Sequence, residues 1–322
     1  MIIKQINCSR IRKVNQYKYH FNSVDQFLIE SIKEHGVLFP LWLVKANGYI
    51  IIDGHRRYLA AVLNNLEKIP AIVFPKEKLN DAFLEALHIN FLKGDLSLIE
   101  KFKVCEIAEA HLSKDVVEKV MTLFKFKQIA GIKKMMKMVK YIPLWFQEYL
   151  HTNNFQLKIL RKMIQFPFNK YQNWFILAVR LKINGSNLIS ILDKVYDILS
   201  RDQIEMEELW NHLQIDRVLE KKGTEQQKLL RIKINLEAIR YPILHEINHI
   251  MHQYKLKIER ELGEDFTISW DNSLEQPGVV LKIILSDMNI FEEYSKKLQD
   301  EKLRGQFRKL LSTTEKIATL SG

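Results

Sequence analysis

Cysteine, glycine, proline and long apolar runs are all scarce in this 322-residue chain, and each shortage excludes something. Cys8 and Cys105 are too few for a disulfide framework, so a reducing, cytoplasmic compartment is expected. With 11 glycines and 7 prolines there are few turn positions for a large all-β protein, and a mostly helical chain is expected. The longest apolar runs, such as Leu41–Val44 and Tyr49–Ile52, fall far short of the roughly 18 residues of a membrane span. Met1-Ile2-Ile3-Lys4 lacks a basic-then-apolar signal pattern, so no export and no membrane partner are expected. What is present is ample for folded cores: 47% hydrophobic and 27% charged residues, enough chain for two or three domains.

The net charge is +11, and it is unevenly placed. Lys101 to Lys170 holds 14 Lys/Arg against 5 Asp/Glu, a net of +9 in about a fifth of the chain. Such a cluster gains affinity for a polyanion through counterion release, which makes double-stranded DNA the expected partner. The plain alternative is a lysine-rich solvated surface.

The first ~95 residues mix strands and helices. An apolar helical pattern through Phe27, Leu28 and Ile32 stops at His35-Gly36. Leu41–Val44 and Tyr49–Ile52 flank Asn47-Gly48, a hairpin signal, and Asp53-Gly54 ends the second strand. A short helix from His55 to Leu63 and a strand over Ile69–Phe74 come next. From Asp81 to about Gln214 the pattern is helical, broken at Gly94-Asp95, Pro143, Pro167 and Gly185. A long helix is expected from Thr224 to near Arg260, disturbed at Pro242. Strands over Phe266–Trp270 and Val279–Leu285 are joined through Gln276-Pro277-Gly278, and the chain is helical again from Asn289.

The stretch Ile52-Asp53-Gly54-His55-Arg56-Arg57 carries the most chemistry. A glycine at a strand end lets backbone approach an anion, and the helix that opens there offers free N–H groups. Arg56 and Arg57 in a first helical turn oppose the helix dipole, and a polyphosphate would compensate them. A pair of solvated arginines is the plainer reading.

Here the sequence resembles the ParB/sulfiredoxin superfamily, many members of which carry D-G-H-R-R in their second box. Ser31-Ile32 with Gly36-Val37-Leu38-Phe39-Pro40 is similar to the first box, and His88-Ile89-Asn90 through Asp95-Leu96 to Glu100 is similar to the third. The resemblance implies a phosphate or nucleotide pocket at Gly36, Gly54, His55, Arg56, Arg57, Asn90 and Lys93. It also implies CTP or another nucleotide with Mg²⁺ as the cofactor. The departures are His55 for Glu, Ile89 for Glu, Leu92 for Gln, Lys93 for Arg and Phe39 for Gln. A phosphate pocket survives these better than a hydrolytic one. Sulfiredoxin itself is set aside, since Gly54 stands where its reactive thiol belongs.

The second region resembles the helical part of ParB and RepB partition proteins, at Ile107–Ala110, Ile142–Phe146 and Phe155–Lys162. Ser113 can cap a helix to about Phe124, and a turn at Lys125–Lys127 leads into a helix from Gln128 to Lys140. This is helix-turn-helix spacing, with Lys127, Gln128, Lys133, Lys134 and Lys137 as candidate DNA contacts. His245-Glu246-Ile247-Asn248-His249 matches H-E-x-x-H formally, but Asn248 is polar, Pro242 is close and no clear third ligand is in range, so no metal is expected.

The expected fold is α+β. It comprises a ParB/sulfiredoxin-like mixed domain (1–95), a basic helical domain (96–222) and a C-terminal αββα module (223–322) suited to homodimerisation. The function implied is that of a ParB-like, DNA-binding partition protein. The same pocket also suits a small-molecule kinase or nucleotide hydrolase, with Asp53, Asp95 and Glu100 as carboxylates, or a degenerate interaction-only member.

Overall fold

The computed structural model describes residues 2–12, 15–21, 23–94, 96–127, 129–274 and 278–318. The chain divides into two compact units, Met1–Ile189 and Ser190–Gly322. The first holds 29 Lys/Arg against 15 Asp/Glu, the second 20 against 23, so the basic excess belongs wholly to the first.

Unit one opens with a four-stranded sheet of order β1-β4-β2-β3. Its strands are β1 (Ile3–Asn7), β2 (Leu41–Lys45), β3 (Tyr49–Asp53) and β4 (Lys68–Phe74). The β2–β3 hairpin forms as the Asn47-Gly48 signal predicts, with φ of 39° and 100° at those residues. β4 runs parallel to β2 and antiparallel to β1. Pro70 lacks an N–H, yet it sits in an inner strand; it lies one position before the β2 ladder begins at Leu41–Ala71. The sequence pattern misses β1, whose residues are exposed except for the buried Ile6. Too few of its side chains face the core to make a period-2 signal.

Two helices cover this sheet. α1 (Gln26–His35) is capped by Asp25 and stopped at Gly36 (φ 69°); α2 (His55–Leu63) starts at Gly54. Leu41, Leu43, Ile69, Ala60 and Ala71 are fully buried between them. Each large apolar side chain so placed stabilises the fold by about 1.5–3 kcal/mol.

The rest of unit one is a succession of helices: α3 (Leu79–Lys93), α4 (Leu98–His111), α5 (Lys114–Leu123), α6 (Ile129–Tyr141), α7 (Leu144–Thr152), α8 (Leu157–Met163) and α9 (Phe168–Arg180). Pro143 and Pro167 are the N-caps of α7 and α9, where a missing N–H is harmless. Ser97 and Glu100 form a reciprocal capping box on α4. The α5–α6 turn passes through Lys125 at φ 53°, held by Phe124 against Phe126 and by Phe126 against Phe102.

α10 (Gly185–Asp202) leads into unit two, with α11 (Met206–His212), α12 (Ile215–Glu220), α13 (Glu225–Arg240) and α14 (Pro242–Leu262). The single long helix expected here is two helices. Pro242 takes the first turn of α14, and Tyr241 (φ −127°, ψ 66°) breaks the backbone before it. β5 (Phe266–Ser269) and β6 (Val280–Ile283) pair antiparallel, then α15 (Met288–Lys297) and α16 (Glu301–Ala318) complete the αββα module. Of the expected turn, Gln276 and Pro277 lie outside the described residues. Phe266 and Ile268 pack with Met251, Ile258, Leu303 and Leu310. β6, on both of its faces, the segment that connects it to α15 and the start of that helix leave apolar side chains in the open. Val280, Leu281, Ile284, Leu285, Met288 and Phe291 are all exposed.

Candidate functional site

β3 delivers Asp53 to the sheet end, and Gly54 turns the chain into α2 with φ 98°. A side chain is excluded there twice. The left-handed backbone disfavours one, and a Cβ would lie 3.0 Å from Leu41 Cγ and 3.2 Å from Arg57 Nη2. With glycine as N-cap, no side chain caps the first N–H groups of α2. These groups open on a cleft of about 530 Å³, lined among others by Lys18, Tyr19, Asp53, His55, Asn90 and Lys93.

The two arginines do different work. Arg57 Nη1 donates to the carbonyls of Phe39 (2.7 Å) and Pro40 (2.9 Å), and its Nη2 reaches Asp53 Oδ2 at 2.6 Å. It pins the loop of the first box to the strand end. Arg56 pairs through Nη2 with Asp25, the cap of α1, while its Nε is buried with no partner. Asn90 Nδ2 donates to Asp53 Oδ1 (2.9 Å) and to the Tyr19 hydroxyl (2.8 Å). Asp53 therefore has both oxygens engaged. Burial pushes the Tyr19 hydroxyl far above its ordinary range, so it stays protonated.

His55 is the first residue of α2, and its Nε2 is buried without a partner. Burial lowers its pKa to about 4, with Asp53 opposing and Lys18 and His20 reinforcing the shift, so the ring is neutral at pH 7. Two buried polar atoms, His55 Nε2 and Arg56 Nε, thus lack a partner beside a helix N-terminus, a position that favours anions. This donor set fits a phosphate. Among the described residues no group of three metal-ligating side chains occurs, so a cation at this site would depend on the phosphates for most of its ligands.

Also lining the cleft, Glu100 is 4% exposed. His20 Nδ1 lies 3.0 Å from its Oε1, His151 Nδ1 3.6 Å from its Oε2, and the Ser97 N–H donates to Oε2 at 3.0 Å. Burial by itself raises this carboxyl's pKa, but those partners outweigh it and hold the net value below the ordinary one. Lys18, Tyr19 and His20 line the cleft, and Asp25 holds Arg56 beside it; the sequence does not reveal them, because the segment before α1 has no periodicity to place it. Conversely, Gly36 does not line the cleft; it ends α1.

In the basic region, α6 buries Ile132, Met135, Met136 and Val139. Lys133 Nζ lies 3.4 Å from Glu109 and Lys140 Nζ 3.4 Å from Glu106, both on α4. Lys137 lines the same groove of about 380 Å³, whereas Lys134 falls on another face of the helix. Lys127 is exposed, and Gln128 lies outside the described residues. His245 and His249 of α14 are exposed, and Asn248 between them accepts from Trp270 Nε1 at 2.7 Å. Cys8 is half-buried, and burial raises the Cys105 thiol to about 12.

The family model of the ParB N-terminal domain matches residues 2–87. Stage 0 sporulation protein J of Bacillus subtilis is 39% identical over 88 residues, which are 26% of this chain and 30% of that protein. The chromosome-partitioning protein Spo0J of Thermus thermophilus is 40% identical over 76 residues, 23% of this chain and 28% of that one. The matched part thus spans under a third of these relatives' length. The C-terminally truncated ParB of Caulobacter crescentus, complexed with CTP-γ-S, aligns over 51% of this chain and 92% of its own at 19% identity. Its TM-score is 0.26, too low for a common arrangement. The likeness to the ParB N-terminal domain is carried by residues 2–87, which hold the Gly54 turn and the Arg57 clamp.

Proposed function

We propose that this protein binds a nucleotide by its phosphates in the Gly54 cleft and binds double-stranded DNA through the basic unit, as a partition protein of ParB type. The observation that carries the nucleotide reading is the pair of unpartnered buried atoms, His55 Nε2 and Arg56 Nε, beside the uncapped start of α2. Lys18 and Lys93 add positive charge to the cleft wall. Among the described residues the carboxylates lining the cleft are engaged, Asp53 by Arg57 and Asn90, and Glu100 by His20. That supports holding a ligand over turning it over, and so favours a binding protein over a kinase or hydrolase. The name of the relative in Thermus supports partition as the setting.

The DNA reading rests on the net +14 of residues 1–189. Homodimerisation rests on the exposed apolar side chains between Val280 and Phe291, which a two-stranded sheet cannot leave in water cheaply. The functional division at residues 95 and 222 assigns these three tasks to three segments.

Calorimetry with CTP, the other ribonucleoside triphosphates and pyrophosphate, with and without Mg²⁺, tests the nucleotide reading. Binding of at least one triphosphate is expected, weakened about ten- to a hundredfold by Arg56→Ala. No heat with any of them would overturn it.

A further inference from the structure

The helix expected to grip DNA is poorly placed for it, and a neighbouring surface is better. On α6 the lysines split: Lys133, Lys137 and Lys140 lie on the flank facing α4, where Glu106 and Glu109 stand, and Lys134 lies well round the helix. A phosphate approaching Lys133 or Lys140 must displace a carboxylate already in contact and then sit beside it.

α8 and the turn before it have no such defect. The helix buries Leu160 and Met163 and turns Lys158, Arg161 and Lys162 outward on one face, at the i, i+3 and i+4 positions. Neither Lys158 nor Lys162 makes an ion pair among the described residues. They border a groove of about 590 Å³ whose lining contains no acidic residue. The remaining polar lining is of amide and hydroxyl type, including Asn154, Gln156 and Ser186. Amides and hydroxyls both donate and accept, so they suit phosphate oxygens and base edges alike.

The groove is built by close packing. Gly185, which opens α10, lies so near α8 that a Cβ on it would come within 2.8 Å of Ile159 Cγ2 and 3.1 Å of Phe155 Cε1. That approach brings Ser186 to the edge of the lysine face. The turn before α8 carries Asn154 in the left-handed region (φ 46°), and Asn153 is fixed by its bond to the Tyr149 carbonyl. The lysines therefore stand on a rigid frame.

We propose that the DNA duplex is held chiefly by the α8 face and this amide-lined groove, centred on Lys158 and Lys162, and not by the lysines of α6. This rests on the DNA reading above and locates its contact surface.

Fluorescence anisotropy of a labelled mixed-sequence duplex of about 30 base pairs, titrated with the full chain across a salt series, tests it. Lys158→Glu with Lys162→Glu should weaken binding at least about tenfold and flatten the salt slope by about two. Lys133→Glu with Lys137→Glu should change affinity by less than about threefold. All four side chains are exposed, and unchanged far-ultraviolet dichroism and melting temperature confirm intact variants. Lys158→Gln with Lys162→Gln, which removes charge without reversing it, should give an intermediate loss. Wild-type affinity in the α8 variants, or loss confined to the α6 variant, overturns the assignment and leaves DNA binding standing. A wild-type chain with no salt-dependent affinity for the duplex overturns both.

Discussion

Arg57 and Asp53 form an ion pair, Nη2 to Oδ2 at 2.6 Å, that closes the turn from β3 into α2 around Gly54. Both side chains are about four-fifths buried, and Arg57 spends its other nitrogen on the Phe39 and Pro40 carbonyls. The second arginine of the motif is thus a part of the frame, whereas the first keeps a buried Nε without a partner, as does His55 at Nε2.

Arg57→Ala should therefore act on stability first. It leaves the Asp53 carboxylate without its charged partner and frees the loop at Phe39–Pro40, a loss of about 2–3 kcal/mol. Arg56→Ala breaks a more exposed pair with Asp25 and should shift the urea midpoint much less. Equal midpoints for the two variants would contradict the division of labour.

Stability should fall in mild acid through His55. Its folded pKa, about 4, lies below the ordinary 6.5, so between those values the unfolded chain binds the proton and the folded chain does not. The penalty is absent above about pH 6.5, grows as pH falls, and is complete below about 4, at most on the order of 3 kcal/mol. The Glu100 contribution is lost at lower pH, as its depressed pKa is approached, so the windows differ. Melting curves of wild type and His55→Asn, compared from about pH 7.5 down to about 4.5, should diverge. Parallel curves would show that the ring is not held neutral.

Gly54→Ala should cost at least about 1–2 kcal/mol from the left-handed backbone alone, and more from the contact with Leu41. Because the same residue sets the angle at which α2 presents its N–H groups, the variant should also lose triphosphate affinity in calorimetry. Retained affinity at reduced stability would separate the cleft from the helix start.

The C-terminal module should set the oligomeric state. Val280→Lys with Ile284→Lys puts charge on the face of β6 and its continuation turned away from Phe266 and Ile268, and should convert a dimer to a monomer in light scattering. An unchanged mass would move the dimer contact elsewhere or remove it.

Much of this molecule is readable along the chain because its signals are local. The Asn47-Gly48 hairpin, the stop at Gly36, the start of α2 at His55 and the proline starts of α7 and α9 each arise from one or two residues whose φ is restricted or unusually free. The D-G-H-R-R box and its neighbours locate the cleft for the same reason: a glycine and a helix start are written in adjacent letters. The pairing of side chains across the fold is not local. Nothing near Arg57 in sequence says that it binds the Phe39 carbonyl, and nothing near Glu100 announces His20, 80 residues earlier. Lys133 reads as a free cation until α4 brings Glu109 beside it. Sequence alone determined which backbone turns, caps and charges exist; packing decided which charges are already spent on one another and which polar atoms, His55 Nε2 and Arg56 Nε among them, are buried without a partner.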